Sequence, residues 1–274
     1  MTLAAVIQLC STSNEDANVA SAEALIRRAA GYGATLIATP ENTNYLGPHP
    51  EKVRRAQPLT GAMLGRFAAL AAELRITLVI GSVNEQSTDP TRCYNTSVVL
   101  GPDGDQIAAY RKIHLFDVDV SEEVRFQESA TVLAGDRVAV ATTVAGKIGL
   151  SVCYDLRFPE LYRRCVDLGA EILTIPAAFT ATTGKDHWEP LIRARAIETQ
   201  CYVLAPGQSG RHDDQGLRAS HGHSMIVDPW GHVVARASDG PGLALAEIDL
   251  SRVAEIRRAM PLQSHRRPLT PESP

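Results

Sequence analysis

The chain is poor in cysteine, has no surplus of basic residues and contains no long apolar run, and each lack removes a class of function. There are five cysteines: Cys10, Cys93, Cys153, Cys165 and Cys201. The number is odd and no two stand at Cys-x-x-Cys spacing, which makes a poor disulfide framework and a poor zinc cluster. A reducing, cytoplasmic compartment is expected, where a reactive thiol stays free to work. Lys and Arg number 27 against 31 Asp and Glu, a formal net charge of −4, so the basic footprint of a nucleic-acid binder is missing. No apolar run reaches the roughly 18 residues of a membrane helix, so no membrane partner is expected either. Residues 1–8 lack the basic start and small-residue cleavage site of a secretory signal and read as a first strand.

Several site signatures are missing too. Gly31-Tyr32-Gly33 begins a Gly-x-Gly pattern but lacks the third glycine, and it closes a helix rather than opening one. There is no Walker-type phosphate loop, no Gly-x-Ser-x-Gly elbow and no His-Glu-x-x-His.

What is present is an ordinary globular composition, 45% hydrophobic and 21% charged over 274 residues, enough for one large α/β domain. Strands are expected near 3–9, 35–39, 76–83, 137–144, 147–152, 171–175, 201–205 and 243–248. Hairpins are expected over 94–112, turning at Pro102-Asp103-Gly104, and over 223–237, turning at Pro229-Trp230-Gly231. Helices are expected from Asn14 to about Ala30, and near 60–75, 158–168, 187–200 and 251–259. Residues 42–58 read as loop, and the long loops 113–134 and 207–221 are candidates for lids or dimer contacts. The Pro- and Arg-rich tail, 261–274, reads as extended, which leaves one domain over 1–260.

The pattern repeats. Gly33-Ala34-Thr35-Leu36-Ile37-Ala38-Thr39-Pro40 is echoed by Gly169-Ala170-Glu171-Ile172-Leu173-Thr174-Ile175-Pro176, and residues 97–104 are echoed by 224–231 at a similar offset. Two such halves can each build a sheet with helices on one face. Burying the bare faces together gives a four-layer α-β-β-α sandwich.

Chemistry collects at three places. Cys153 follows the strand Lys147-Ile148-Gly149-Leu150-Ser151-Val152 and precedes a helix, so backbone N–H groups there can lower its pKa and bind an oxyanion. Glu41 follows Pro40 at the end of an apolar strand, where open α/β folds place their sites. Lys112 ends a hairpin strand in Tyr110-Arg111-Lys112-Ile113-His114-Leu115.

Pro40-Glu41-Asn42, the segment around Lys112, and Gly149 to Leu161 around Cys153 resemble the three active-site motifs of the nitrilase superfamily of carbon–nitrogen hydrolases. The resemblance covers nearly the whole chain. It implies the nitrilase-like four-layer fold, a Glu41-Lys112-Cys153 triad, no metal or other cofactor, and a homodimer or larger homo-oligomer. Glu128 matches a second glutamate of the family near the lysine. Segments 184–189, 193–203 and 222–231 look like the branch holding deaminated glutathione amidase and omega-amidase. Segments 208–212 and 240–243 are more similar to the former, while the loop 41–47 departs from both.

The implied activity is hydrolysis of a small oxo-acid amide through a cysteinyl thioester, with Lys112 and the Tyr154 N–H at the oxyanion. Deaminated glutathione is the first expected substrate and 2-oxoglutaramate the alternative. Arg157, Lys185 and Arg211 are candidate cations for an anionic substrate. Two rival classes stand beside this reading. One is a metal hydrolase using His221 and His223, on one strand face, with Asp213 or Asp214. The other is a non-catalytic partner-binding protein on the same fold.

Overall fold

A computed structural model describes residues 1–121, 124–212 and 219–267. The first half runs β1 (Thr2–Gln8), α1 (Glu15–Gly31), β2 (Leu36–Ala38), α2 (His49–Arg54), α3 (Ala62–Leu74), β3 (Thr77–Gln86), β4 (Cys93–Leu100) and β5 (Gln106–Arg111). A connecting stretch holds β6 (Asp117–Ser121), β7 (Val124–Gln127) and β8 (Val132–Leu133). The second half runs β9 (Val140–Thr143), β10 (Gly146–Leu150), α4 (Pro159–Asp167), β11 (Ile172–Thr174), α5 (Ala181–Thr199), β12 (Tyr202–Ala205), β13 (Ser209–Arg211), β14 (Ala219–His221), β15 (Met225–Val227) and β16 (Val233–Arg236). The described chain closes with β17 (Gly242–Ile248), α6 (Leu250–Ala259) and α7 (Leu262–His265).

Alternating side chains set the layers. Along β1, Ala4 and Val6 join the core cluster that contains the second sheet, while Ala5 and Ile7 pack with α1 and α3. Leu36 and Ala38 face inward on β2 and Val79 on β3, whereas Ile37, Leu78 and Ile80 face the helices. A period of two puts successive side chains on opposite faces, so these strands are buried on both sides. On the far side, Leu161, Tyr162, Trp188 and Ile192 of α4 and α5 cover the second sheet. The layer order is α-β-β-α.

The two sheets repeat one topology. The first runs β17-β1-β2-β3-β4-β5, with β8 added beside β4, and the second runs β9-β10-β11-β12-β15-β16. In each, the inner strands are parallel and the hairpin is antiparallel. The echo reaches the backbone angles. Gly33 and Gly169, just before β2 and β11, both have φ 91°, and Arg75 and Gln200, just before β3 and β12, both have φ 53°. Glycine meets that left-handed requirement without the Cβ clash that other residues incur.

Four expectations are corrected. The loop 42–58 contains the short helix α2, and the loop 113–134 contains the β6–β7 ribbon and β8. These pieces are too short to show a period and are held by tertiary contacts. Helix α5 begins at Ala181, several residues early, and carries Pro190 inside it. The tail from Pro261 is not extended throughout, since Leu262–His265 is helical; residues 268–274 lie outside the described residues.

Candidate active site

Glu41 stands where β2 ends and is held from both halves of the chain. Its Oε2 accepts the Ala178 N–H at 2.8 Å and its Oε1 accepts the Asn95 Nδ2 at 2.9 Å. Gln208, fully buried, donates to the backbone carbonyls of Glu41 and Asn42 at 2.9 and 3.2 Å. The turn is tight because Gly81 of β3 lies beneath it: a Cβ there would sit 2.0 Å from the Thr39 carbonyl oxygen and 2.4 Å from that of Pro40. Only glycine lets the two backbones approach so closely.

Lys112 leaves the end of β5 and is 1% exposed. Its Nζ donates to Glu41 Oε1 at 3.0 Å and to Glu128 Oε2 at 2.8 Å. Glu128 opens a 3₁₀ turn after β7, and it also accepts the Phe116 N–H at 2.7 Å and Asn95 Nδ2 at 3.2 Å. Burial works against the Lys112 charge, but the Glu128 and Glu41 carboxylates override it and raise its pKa well above the usual range. Burial likewise pushes the Glu128 carboxyl up, yet the Lys112 and Lys52 charges bring it down to about 2.

Cys153 begins a 3₁₀ turn directly after β10, with φ 51° and its N–H bonded to the Pro176 carbonyl at 2.8 Å. A non-glycine residue at positive φ is strained and must be held by its surroundings. Asp155, fully buried, does much of the holding. It accepts the Val152 N–H and the Tyr110 hydroxyl at 2.8 Å each, and the His114 N–H and Nδ1 at 3.0 and 2.7 Å. One carboxylate thus ties the segment carrying Lys112 to the elbow carrying Cys153. The turn's first backbone bond is Asp155 N–H to Val152 O, so the Tyr154 N–H, next in the chain to Cys153, precedes that ladder. The expected lowering of the thiol pKa is overturned. Burial first, and then the Glu41 charge, push the Cys153 thiol well above its ordinary range, with Lys112 only partly opposing.

Glu41, Lys112, Glu128 and Cys153 therefore share one pocket, of about 600 Å³ including its open mouth. Comparison with known proteins gives the family. The family description "Carbon-nitrogen hydrolase" matches residues 3–258. The chain belongs to that family. It is 46% identical over 97% of its length to deaminated glutathione amidase of Bos taurus, covering 82% of that protein. It is 40% identical over 96% of its length to omega-amidase NIT2 of Homo sapiens, covering 94% of that protein. Among solved structures it resembles the C. elegans NitFhit protein, with TM-score 0.90 and 38% identity, over 97% of this chain and 65% of that longer one.

The other walls of the hydrolase pocket are mixed. Phe116, Phe126, Tyr154 and Phe179 supply apolar surface, and Arg157, Lys52, His49 and Asn42 supply polar groups. Of the three cations expected from sequence, Arg157 lines the pocket, its guanidinium 5.2 Å from the Phe179 ring centre and bonded to His187 at 3.3 Å. Lys185 and Arg211 do not line it. Lys185 is exposed in the first turns of α5, 3.8 Å from Asp186, and Arg211 is exposed on β13. Sequence reasoning missed Lys52, Asn42, Asn95 and Asp155. For Asn95 no local signal existed, since it stands beside Thr96 and Ser97 in β4 and its complete burial comes from the fold.

The metal reading placed His221 and His223 on one strand. Strand β14 ends at His221, and His223 turns away with φ 54°, the two rings 4.7 Å apart. Asp213 and Asp214 lie outside the described residues. Among the described residues no group of three His, Cys, Asp or Glu side chains is placed to hold a metal, and no helix is long and apolar enough to cross a membrane.

Proposed function

We propose that the protein is a thiol amidase that hydrolyses a small oxo-acid amide, with deaminated glutathione as its substrate. The observation that carries this reading is the placement of Lys112 between the Glu41 and Glu128 carboxylates, at 3.0 and 2.8 Å, in the pocket that also holds Cys153. The 46% identity to a deaminated glutathione amidase over 97% of the chain supports the choice of substrate.

A neutral amide is a poor electrophile with a poor leaving group, and a thioester splits its hydrolysis into two easier steps. Glu41 removes the thiol proton of Cys153 as the sulfur attacks the carbonyl carbon. A raised thiol pKa makes this proton transfer part of the attack, because a resting thiolate is not available. The Lys112 ammonium and the Tyr154 N–H stabilise the oxyanion. The carbon–nitrogen bond breaks and Glu41 gives its proton to the departing nitrogen. Water then gives a proton to Glu41 and its oxygen to the thioester carbon, the carbon–sulfur bond breaks, and Glu41 returns that proton to the sulfur as the acid is released. Glu128 is a positioning residue that holds Lys112 at its station.

The protein is further proposed to work in the cytoplasm as a homodimer or larger homo-oligomer, with a small-molecule amide as its partner. The test is amide turnover by the wild type and by Cys153→Ala, with folding checked by circular dichroism. Loss of turnover in a folded variant is expected, and full turnover would end the mechanism. Comparing kcat/KM for deaminated glutathione and 2-oxoglutaramate assigns the substrate: a higher value for 2-oxoglutaramate would make the protein an omega-amidase.

A further inference from the structure

Helix α2 carries a cation that acts on the Glu128 charge but forms no ion pair among the described residues. Lys52 is 8% exposed and, among the described residues, makes no ion pair or hydrogen bond. Lysine is almost never so buried unless paired. The other charged residues of this stretch are satisfied on the outer face: Arg54 pairs with Glu51, and Arg55 lies 3.9 Å from both Glu51 and Glu15. His49 and Lys52, three residues apart and so on one face of the helix, line the pocket instead. Asn42 stands in the same pocket, 6% exposed, and its buried Oδ1 has no hydrogen-bond partner. Its backbone is held at φ 56° with the N–H bonded to Ser82 Oγ at 2.8 Å, so the loop fixes this residue while leaving its side-chain oxygen uncommitted. A buried ammonium without an ion pair, in a pocket that holds a nucleophile, calls for a group with negative charge and acceptor oxygens, while the Asn42 Oδ1 there calls for a donor such as an N–H.

We propose that Lys52 forms a carboxylate-binding subsite that selects anionic amides and is a specificity-determining residue. The inference rests on the amidase reading above and deepens it. The carboxylate can come from either half of the substrate. Deaminated glutathione carries one at its oxo-acid end and one at its glycine end, whereas 2-oxoglutaramate carries only the first. Arg157, in the same pocket, supplies a second cation, so the pocket has two positive groups beyond Lys112. The Lys52 charge also acts on Glu128, so a purely structural role would alter turnover of every amide alike.

The experiment compares wild type, Lys52→Met and Lys52→Arg on deaminated glutathione, 2-oxoglutaramate and neutral butyramide, with thermal melting to confirm folding. In Lys52→Met the ratio of kcat/KM for an anionic amide to that for butyramide should fall at least about tenfold, carried by KM, because a charge-assisted hydrogen bond is lost. Lys52→Arg should recover part of the ratio. A fall for both anionic amides places the oxo-acid carboxylate at Lys52. A fall for deaminated glutathione alone places the glycine carboxylate there. An unchanged ratio, or an equal loss of kcat on all three amides, overturns the subsite. Calorimetric binding of 2-oxoglutarate and of cysteinylglycine to Cys153→Ala, with and without Lys52→Met, reads the subsite without turnover. At least tenfold weaker binding of one of them on losing Lys52 is expected, and no weakening of either overturns the subsite even if the amidase reading itself has failed.

Discussion

Lys112 and Glu128 meet at 2.8 Å inside the protein, one at the end of a sheet strand and the other on the turn after a separate ribbon. The ammonium is thereby shared between Glu128 and Glu41 rather than given wholly to the residue proposed as the base. Removing the Glu128 charge should therefore draw Lys112 out of its shared position and wholly onto Glu41. Glu128→Gln is expected to lower kcat about 10²-fold with a smaller change in KM. Steady-state kinetics check this, and an unchanged kcat would deny Glu128 its positioning role.

The same pair predicts an acid limit. The Glu128 carboxyl is held at about 2, below its ordinary 4.5. A lowered folded-state value contributes stability that is complete above the unfolded value and is lost as the pH falls through the folded one. Thermal melting followed from about pH 6 to about pH 2 should show part of the wild-type decline between about 4.5 and 2. Glu128→Gln should be less stable at neutral pH, with a flatter acid limb.

Glu41 and Cys153 oppose one another electrostatically, since the carboxylate charge helps push the thiol pKa up. In Glu41→Gln that charge is gone and Lys112 still favours the thiolate. The midpoint of the pH dependence of Cys153 alkylation by iodoacetamide, followed by peptide mass spectrometry, should move down relative to wild type. Amide turnover should nevertheless fall by about 10³ or more for want of a general base. An upward move of the midpoint would contradict the assigned electrostatics.

Gly81 touches no reacting group, yet it should control the site. A methyl group there would meet the Thr39 and Pro40 carbonyls at 2.0 and 2.4 Å, and both are backbone atoms that cannot swing aside. Gly81→Ala should destabilise by about 2–3 kcal/mol, lowering Tm by roughly 5–10 °C. It should also reduce kcat by displacing Glu41, while the alkylation chemistry of Cys153 persists. Differential scanning calorimetry and kinetics together check the pair of effects.

Local and repeating features were legible in the sequence. The β1, β2 and β3 strands are apolar on both faces, Asn14 caps α1 by accepting the Ala17 N–H, and the paired Gly33 and Gly169 mark equivalent helix exits. Such signals lie within a few residues of one another, and the repeat doubles them. Glu41, Lys112, Glu128 and Cys153 were legible as segments whose residue types suit one chemistry. Arg157 was found among three candidate cations, and nothing local distinguished it from Lys185 and Arg211.

What the amino-acid sequence determined on its own was therefore the α-β-β-α layering, the internal repeat and the choice of residues proposed to react, because period, turn chemistry and motif are written locally. Only the tertiary structure decided that Asn95 bridges two carboxylates, that Asp155 locks the elbow to the lysine segment, and that Lys52 rather than Lys185 enters the pocket. Those contacts join strands, turns and a six-residue helix from distant parts of the chain. Their energies come from burial and from charges brought together by packing, and neither quantity exists until the chain has folded.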